Sequence, residues 1–565
     1  MDFTRRRMRL GDILLEQEYI TQEQLDTALA ASKETGARLG EWLVESGFIT
    51  EEKIAQALRY QLGYQYVNLG NEDIPEDIIK LVKGDILRKH QMIPFAYANS
   101  NTLRVAMADP LNILAVDDIE IITGLQVEPV VATASGIMAA LDKYYGSEEA
   151  NAMAEQYAAE RGFDKEEENV GEEAAKDDNS PIVVLVRTMI EQAARQGTSD
   201  IHIEALETKV RVRYRIDGAL YNRLEYDLKM LPGMIARIKI IGGMDISEKR
   251  KPQDGRITAV VDRQEYDIRV NILPTVHGEK CVMRLANKKA LNRDKRLLGF
   301  EPSEMDKFDR ILKHPHGIML VTGPTGSGKS TTLYTALSEL NTEEVNIVTV
   351  EDPVEANVDG VNQVHVNPKV DLTFASALRA ILRQDPDIIM IGEIRDGETA
   401  DIAVKAAITG HLVVSTLHTN SAASTVTRLE DMGIESYLIA DSVIGIIAQR
   451  LVRRLCDCKE PLDIKDIDED DLRFLDLKEG EKVTIYKKKG CPVCNNTGYK
   501  GRIGIYEIME VTKGLAHVIA TGGTAEEIKA FALKEGMNTL AMASAIKVKK
   551  GITTIDEMRR IVYEA

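Results

Sequence analysis

The sequence predicts an α/β fold: a core of buried strands, a smaller α+β unit before it, and a helical region at the amino terminus. Three observations carry this expectation. The apolar run Gly317-Ile318-Met319-Leu320-Val321 passes through a glycine-rich stretch, residues 323–330, into Thr331-Thr332-Leu333-Tyr334-Thr335-Ala336-Leu337. That is strand, loop and helix in immediate succession. Two further apolar runs, residues 345–350 and 388–391, have the continuous pattern of strands buried on both faces. Upstream, Val210-Arg211-Val212-Arg213-Tyr214-Arg215 alternates with the period of a half-buried antiparallel strand.

The loop reads Gly-Pro-Thr-Gly-Ser-Gly-Lys-Ser and fills every fixed position of a phosphate cradle. Gly323, Gly326 and Gly328 let the backbone curl so that its N–H groups face inward. The helix that follows adds positive potential at the same point. Gly323, Pro324, Thr325, Gly326, Ser327, Gly328, Lys329, Ser330 and Thr331 are the expected ATP-binding residues. Lys329 would reach the β- and γ-phosphates, and the Ser330 hydroxyl would hold Mg²⁺.

A chain of 565 residues suggests three or four domains, and 44% hydrophobic residues is ample for packed cores. The net charge of −19 argues against bulk attraction to nucleic acid or anionic lipid. No apolar run approaches the ~20 residues that span a bilayer. The arginine-rich start, with Arg5, Arg6, Arg7 and Arg9, runs into an amphipathic stretch and is not read as a signal peptide. A cytoplasmic location is expected, and five cysteines, four of them clustered late in the chain, suit metal better than disulfides.

The first domain, residues 1–146, divides into a helical repeat (1–65) and a small α/β unit (66–146). Arg9-Leu10-Gly11 recurs as Arg38-Leu39-Gly40, Ile20-Thr21 as Ile49-Thr50, and the Leu25/Leu29 pair as Ile54/Leu58, at an offset of 29 residues. Each threonine is placed to cap a helix. Two packed helical hairpins are the plain reading; a charge beside a close backbone approach, twice over, also suits an anion site. In the α/β unit, residues 103–108 and 127–131 read as strands, Asp109-Pro110 as a helix start and 136–145 as a closing helix. Residues 147–178 are strongly acidic and poor in large apolar side chains, which reads as a linker.

The middle domain, 179–290, opens on Ser180-Pro181, a helix start, and continues as Gly-Thr-Ser-Asp-Ile-His-Ile-Glu, residues 197–204, and a meander with Asp217-Gly218 as a hairpin turn. Its alternating arginines read as a solvated face or as groups that reach a neighbouring subunit's nucleotide. The last domain spans 291–565. There the run 345–350 ends in Glu351-Asp352-Pro353-Val354-Glu355, and 388–391 ends in Gly392-Glu393. Acids at the carboxyl ends of buried strands sit where open α/β sheets bind ligands. A Walker B strand usually ends in Asp-Glu; here Gly392 takes the Asp position. Glu393 would hold Mg²⁺ through water or position the attacking water, and Glu355 is the other candidate base. His411 and His418 flank the strand 412–416 and are placed to sense the γ-phosphate. Cys456-Asp457-Cys458 and Cys491-Pro492-Val493-Cys494, in an insert at 456–494, would form a closed Zn²⁺ site, although the first pair is one residue shorter than usual; four reduced thiols without metal are the alternative.

Glu-Asp-Pro-Val-Glu, Gly-Glu-Ile-Arg-Asp and Thr-Gly-His…Thr-Leu-His-Thr, with the loop and the 197–204 motif, occur in an order that resembles the type II secretion and type IV pilus assembly ATPase superfamily over residues 180–565. The resemblance implies a RecA-like P-loop core, a preceding PAS-like α+β domain, and homo-hexamers with ATP between the two. It places Glu355 in the acidic box, Glu393 in the Walker B strand, and His411 and His418 in the histidine box. Arg269 and Arg284, with Arg256 weaker, become the candidate phosphate-contacting arginines. The tetracysteine insert and the amino-terminal domain resemble assembly and secretion members rather than retraction members. The repeat resembles the cyclic di-GMP-binding domain of some of these ATPases, whose motifs end in Gln. Gln61 matches; Ser32 stands at the first such position, and Glu18 replaces a glycine that Gly47 retains. Arg9, Leu10, Gly11, Arg38, Leu39, Gly40 and Gln61 are the expected dinucleotide-binding residues. The implied partner is an inner-membrane platform protein, the location the cytoplasmic side of that membrane, and the function pilus assembly. Type II secretion, or a nucleotide-sensing switch, is the alternative.

Overall fold

A computed structural model describes residues 9–145, 180–287 and 294–564, apart from 18, 36–38, 73, 100, 263, 464, 466, 476–482, 492–493 and 495. Arg38, Glu18, the side chain of Ser32 and the acidic stretch 147–178 lie outside the described residues. The repeat is four helices: α1 (Leu10–Glu16) and α2 (Gln22–Thr35), then α3 (Leu39–Glu45) and α4 (Glu51–Leu62). Thr21 Oγ1 accepts from Gln24 N at 3.3 Å and Thr50 Oγ1 from Lys53 N at 3.5 Å, so both expected caps form. Its core is Ile13, Leu14, Ile20, Leu25, Ala28, Leu43, Ile49 and Ala57. The motif leucines cross over. A Cβ on Gly11 would lie 3.6 Å from Leu39 Cδ2, and one on Gly40 would lie 3.7 Å from Leu10 Cδ2. Each glycine therefore seats the other motif's leucine, which makes the repeat pseudo-symmetric in space as well as in sequence.

The α/β unit has a three-stranded sheet, β1 (Met92–Asn99), β2 (Thr102–Met107) and β3 (Gln126–Val131), in that order. β1 and β2 are antiparallel, and β2 and β3 are parallel through the crossover helix α5 (Ile113–Thr123). α6 (Ala134–Tyr144) closes the unit. The expected helix start at Asp109-Pro110 is corrected. Asp109 Oδ1 accepts from Leu111 N at 3.1 Å in a turn, and Asn112 caps α5 by accepting from Ala115 N at 3.3 Å. Asn out-competes the Asp-Pro pair because its side chain reaches the first free helix N–H groups.

In the middle domain α7 (Pro181–Arg195) and α8 (Leu231–Ile241) lie against a six-stranded antiparallel sheet of order β6-β5-β4-β9-β8-β7. The strands are β4 (Thr198–Ala205), β5 (Lys209–Ile216), β6 (Ala219–Asp227), β7 (Gln253–Val261), β8 (Gln264–Thr275) and β9 (Gly278–Asn287). Asp217 (φ 49°) and Gly218 (φ 86°) make the predicted hairpin turn. Ile201, Ile203, Val210, Val212, Tyr214, Val270 and Met283 face the helices, with buried Cys281 among them. The charged alternates face outward.

The last domain holds a seven-stranded sheet of order β12-β11-β13-β14-β10-β15-β18. β10 (Gly317–Thr322), β11 (Ile347–Glu351), β12 (Val361–His365), β13 (Ile388–Ile391), β14 (Leu412–Leu417) and β15 (Val443–Leu455) run parallel, and β18 (Tyr499–Glu510) is antiparallel to β15. α9 (Pro302–Leu312), α10 (Lys329–Leu340), α11 (Phe374–Ile381), α12 (Gly397–Ile408) and α13 (Ala422–Asp431) are among the helices that cover it. β10, β11, β13 and β14 are buried at every position, as their mainly apolar sequence requires. A small hairpin, β16 (Glu460–Leu462) with β17 (Ile485–Lys487), lies in the insert. Among the described residues no helix is long and apolar enough to cross a membrane.

Candidate functional site

Four parallel strands, β10, β14, β13 and β11, present their carboxyl ends along one edge of the large sheet. That edge collects the phosphate loop, His418, Glu393 and the 351–355 acids, because each follows its strand directly. Gly323, Gly326 and Gly328 have φ of 148°, 79° and 89°, which only glycine adopts without strain. A Cβ on Gly323 would sit 2.5 Å from Gln449 O and 2.7 Å from Ser327 Oγ. The loop is pinned from β15: Gln449 Nε2 donates to Ser327 O at 2.9 Å, and its Oε1 accepts from Thr332 Oγ1 at 2.8 Å. Ser327 Oγ is buried and has no hydrogen-bond partner among the described residues. Lys329 Nζ donates to Gly323 O at 2.8 Å and Pro324 O at 3.1 Å, so the cation lies inside the curl of the loop. Burial pushes the Lys329 ammonium down to about 8; Glu393 opposes the shift and buried Arg450 adds to it. Glycines with no room for a side chain, an unused buried hydroxyl, a cation and a helix start fit a polyphosphate. Ser330, on the first turn of α10, stands where a Mg²⁺ ligand is required.

Glu393 is ion-paired with Arg395, and His418 Nε2 lies 3.4 Å from its Oε2. Burial raises the Glu393 carboxyl, but Arg395 and His418 outweigh it and hold the group below the ordinary glutamate range. Glu393 is therefore an anion at neutral pH, suited to hold a metal-bound water or orient a free one. The backbone is tight here: a Cβ on Gly392 would meet Val350 O and Glu351 Cα at 3.3 Å, so this close approach, and no metal ligand, occupies the usual Asp position. Glu355 lies half-buried beyond β11, where Tyr334 OH accepts from its backbone N at 3.3 Å. Glu351 itself is buried and accepts from Tyr334 OH, Thr349 Oγ1 and Gln363 Nε2.

The two histidines are not brought together. His418 follows β14 at the phosphate edge, whereas His411 precedes it. Gly317 N donates to His411 O at 3.1 Å, and His411 Nδ1 lies 2.9 Å from Ala406 O. Six strand residues separate the two, about 20 Å at ~3.3 Å each. Within one chain only His418 therefore stands at the phosphate edge, because the extended strand between them carries His411 to the other end of β14. A buried hydroxyl chain instead ties the His418 segment to the loop. Thr419 N donates to Thr322 Oγ1 at 2.9 Å, and the two hydroxyls are 2.6 Å apart.

Arg284, Arg269 and Arg256 pair across β9, β8 and β7 in one row, with Asp200 and Arg215 continuing it on β4 and β5. Arg284 Nε donates to Asp200 Oδ1 at 3.1 Å, and Arg256 is bidentate to buried Asp267 at 2.5 and 2.8 Å. Among the described residues Arg269 has no acidic partner at all, which makes it the freest of the three. The row lies on the middle domain. In the repeat, Arg9 N donates to Asp12 Oδ2 at 3.2 Å at the start of α1, and Gln61 is half-buried on α4.

The four late cysteines converge. Their sulfur atoms all lie within 4.8 Å, with Cys456–Cys491 at 3.8 Å, Cys458–Cys494 at 4.0 Å and Cys491–Cys494 at 3.7 Å. A tetrahedron with ~2.3 Å Zn–S bonds has edges of ~3.8 Å, so the cage matches a closed zinc centre. The short Cys-x-Cys spacing is accommodated because Cys456 directly follows β15 and its N donates to Gly498 O at 3.0 Å, while Cys491 and Gly498 N–H groups both donate to Cys494 Sγ at 3.2 Å.

Gln449, Tyr334, Glu351, Thr419 and Arg395 went unassigned from sequence. Arg395, Glu351 and Thr419 had a signal, since they lie inside the Gly-Glu-Ile-Arg-Asp, Glu-Asp-Pro-Val-Glu and Thr-Leu-His-Thr motifs; Gln449 and Tyr334 are ordinary core positions until the strands are side by side.

Comparison with known proteins agrees with this geometry. The sequence model of the type II/IV secretion system protein family matches residues 175–560, and the MshEN domain matches residues 62–151. The type IV pilus assembly ATPase PilB of Myxococcus xanthus is 44% identical over 559 residues, 97% of this chain and 98% of that protein. The type II secretion system ATPase E of Vibrio cholerae is 48% identical over 390 residues, 69% of this chain and 77% of that one. The X-ray structure of the Legionella pneumophila ATPase DotB superposes with a TM-score of 0.51 at 21% identity, over 68% of this chain and 96% of that chain, which shows the shared fold. A phosphate loop, a depressed carboxylate and a histidine on one edge of a RecA-like sheet, in a sequence matched from end to end, mean that this chain belongs to the type II/IV secretion ATPase family and carries an MshEN domain.

Proposed function

We propose that the chain is a hexameric motor that hydrolyses ATP to drive type IV pilus assembly, working on the cytoplasmic side of the inner membrane against a platform protein. The observation that carries the pilus reading is the 44% identity to the Myxococcus xanthus pilus assembly ATPase over 97% of this chain and 98% of that protein. The geometry supports the chemistry. Lys329 and the loop backbone bind the β- and γ-phosphates, and Ser330 holds Mg²⁺, which would neutralise charge developing on the transferred phosphoryl group. Glu393, kept ionised by Arg395 and His418, orients the attacking water. Glu355 is the second acid of the site. The outward arginine row, and Arg269 first within it, offers a neighbouring subunit's nucleotide a cationic surface, which a hexamer would supply and a monomer would not. Four thiolates hold one Zn²⁺ and brace the insert. Cyclic di-GMP on the amino-terminal domain regulates the motor, with Arg9, Gly11, Arg38, Gly40 and Gln61 as its contacts.

The 48% identity to the Vibrio cholerae secretion ATPase over 69% of this chain favours type II secretion as the second reading. One experiment separates them. In a strain lacking the gene, the wild-type chain should restore surface pili and Glu393→Gln should not. The purified variant should keep ADP binding and lose at least about a hundredfold in hydrolysis. Restored exoprotein secretion without pili would replace the first reading by the second, and near-normal hydrolysis by Glu393→Gln would remove the acid assigned here.

A further inference from the structure

Tyr334 lies on the helix that leaves the phosphate loop, five residues beyond Lys329, and its side chain is 1% exposed. Its hydroxyl has three neighbours. It donates to Glu351 Oε2 at 2.5 Å, and it accepts from Glu355 N at 3.3 Å and Ala356 N at 3.4 Å. The direction of the first bond is fixed, because a carboxylate only accepts. That leaves the oxygen lone pairs aimed at the two backbone N–H groups. The carboxylate is in turn held by neutral donors, Thr349 Oγ1 at 2.6 Å and Gln363 Nε2 at 3.1 Å. Gln363 also grips the same segment further along, donating to Ala356 O at 3.0 Å and accepting from Val358 N at 2.9 Å.

Two side chains, buried Tyr334 from α10 and half-buried Gln363 from β12, thus replace the secondary structure that residues 352–358 lack. The arrangement has a consequence for the acid segment. Any shift of α10 that accompanies phosphate binding at Lys329 is transmitted through one hydroxyl to the backbone of Glu355. Glu351 keeps that hydroxyl turned the right way, which a buried carboxylate without a cation would otherwise be a costly means of doing.

We infer that Tyr334 is a positioning residue, whose hydroxyl, oriented by Glu351, fixes the Glu355 backbone relative to the phosphate loop; this rests on the reading of Glu355 as an acid of the site. Tyr334→Phe removes the acceptor of both N–H groups. Glu351→Gln removes the buried charge but keeps an amide oxygen that accepts from the Tyr334 hydroxyl, so the hydroxyl lone pairs stay turned toward the two N–H groups. Both substitutions strain the same buried cluster, so both lower Tm; only the first releases Glu355.

The test compares the two in the full-length chain with Mg·ATP. Tyr334→Phe should lower kcat about tenfold, with KM for ATP within about twofold, as a small misplacement of a reacting group does. Amide exchange in residues 352–358 should accelerate in Tyr334→Phe and stay near wild type in Glu351→Gln, whose kcat should remain within about threefold. Wild-type kcat in Tyr334→Phe, unchanged exchange in that segment, or an equal kcat loss in Glu351→Gln would each overturn the inference. Glu355→Gln is measured alongside: wild-type turnover there would overturn the reading of Glu355 and leave the exchange result standing on its own.

Discussion

The buried Lys329 makes nucleotide binding a proton-linked reaction. In the free protein burial depresses its ammonium to about 8 from an ordinary value of 10.5. A bound diphosphate adds two or three negative charges beside it and restores the cationic form. The sign follows from linkage: the complex prefers the protonated lysine, so affinity is greatest below the free-state pKa and falls as pH rises through it. With a free-state value of about 8, roughly a tenth of the lysines remain charged at pH 9, against nearly all at pH 7, so ADP affinity should weaken about tenfold across that interval. ADP itself contributes little over the range, since its terminal phosphate ionises near pH ~6. Isothermal titration of Mg·ADP at pH 7, 8 and 9, in two buffers of different ionisation enthalpy, reads both the affinity and the proton. About one proton should be taken up per ADP at pH 9, and almost none at pH 7. Lys329→Arg gives the control, because a guanidinium stays charged throughout and its pH slope should vanish even if binding is weaker. A flat affinity between pH 7 and 9 with no proton uptake would refute the reasoning, since it would mean that the lysine is not desolvated inside the loop.

Two further expectations are independent of the phosphate loop. Protein purified without added metal should contain one zinc per chain by elemental analysis, and Cys458→Ser should lose it; four freely titratable thiols in the folded protein would exclude the centre. Cyclic di-GMP titrated into the full-length chain should bind through the amino-terminal domain, with Arg38→Ala weakening it more than Arg9→Ala, since only the second motif keeps its Gln; absence of binding heat to folded protein would leave the repeat as two packed hairpins.

The strand-loop-helix at 317–337, the second buried strand before Glu393 and the tetracysteine pairs were legible because each is a local pattern. A phosphate cradle is made by consecutive residues, and a strand buried on both faces writes itself as an unbroken apolar run. The helix boundaries in the repeat were legible for the same reason, through Thr21 and Thr50. The domain that begins at Ser180-Pro181 announced itself by a helix start and an alternating meander. What the residues alone left open was every relation across the sheet. His411 and His418 look equivalent in sequence and end up at opposite edges, because a straight strand carries its two flanks apart. The arginines 256, 269 and 284 look alike as alternating charges; register places them in one row, and only then does it emerge that two have carboxylate partners and that Arg269 has none among the described residues.

Composition and pattern by themselves determined the α/β class, the phosphate loop with Lys329 and Ser330, the carboxylates after the runs 345–350 and 388–391, and four thiols in two pairs. Those are statements about neighbours along the chain, where backbone geometry and residue type suffice. Tertiary structure alone decided that Gln449 on β15 fastens the loop, that His418 joins Arg395 in ionising Glu393, and that Tyr334 and Glu351 hold the acid segment. Each of these joins residues that are distant along the chain, and their burial and hydrogen bonding exist only once strands with crossovers between them have paired. A polar side chain in a core is uninformative until its partner is known, because its stability depends wholly on whether that partner is there.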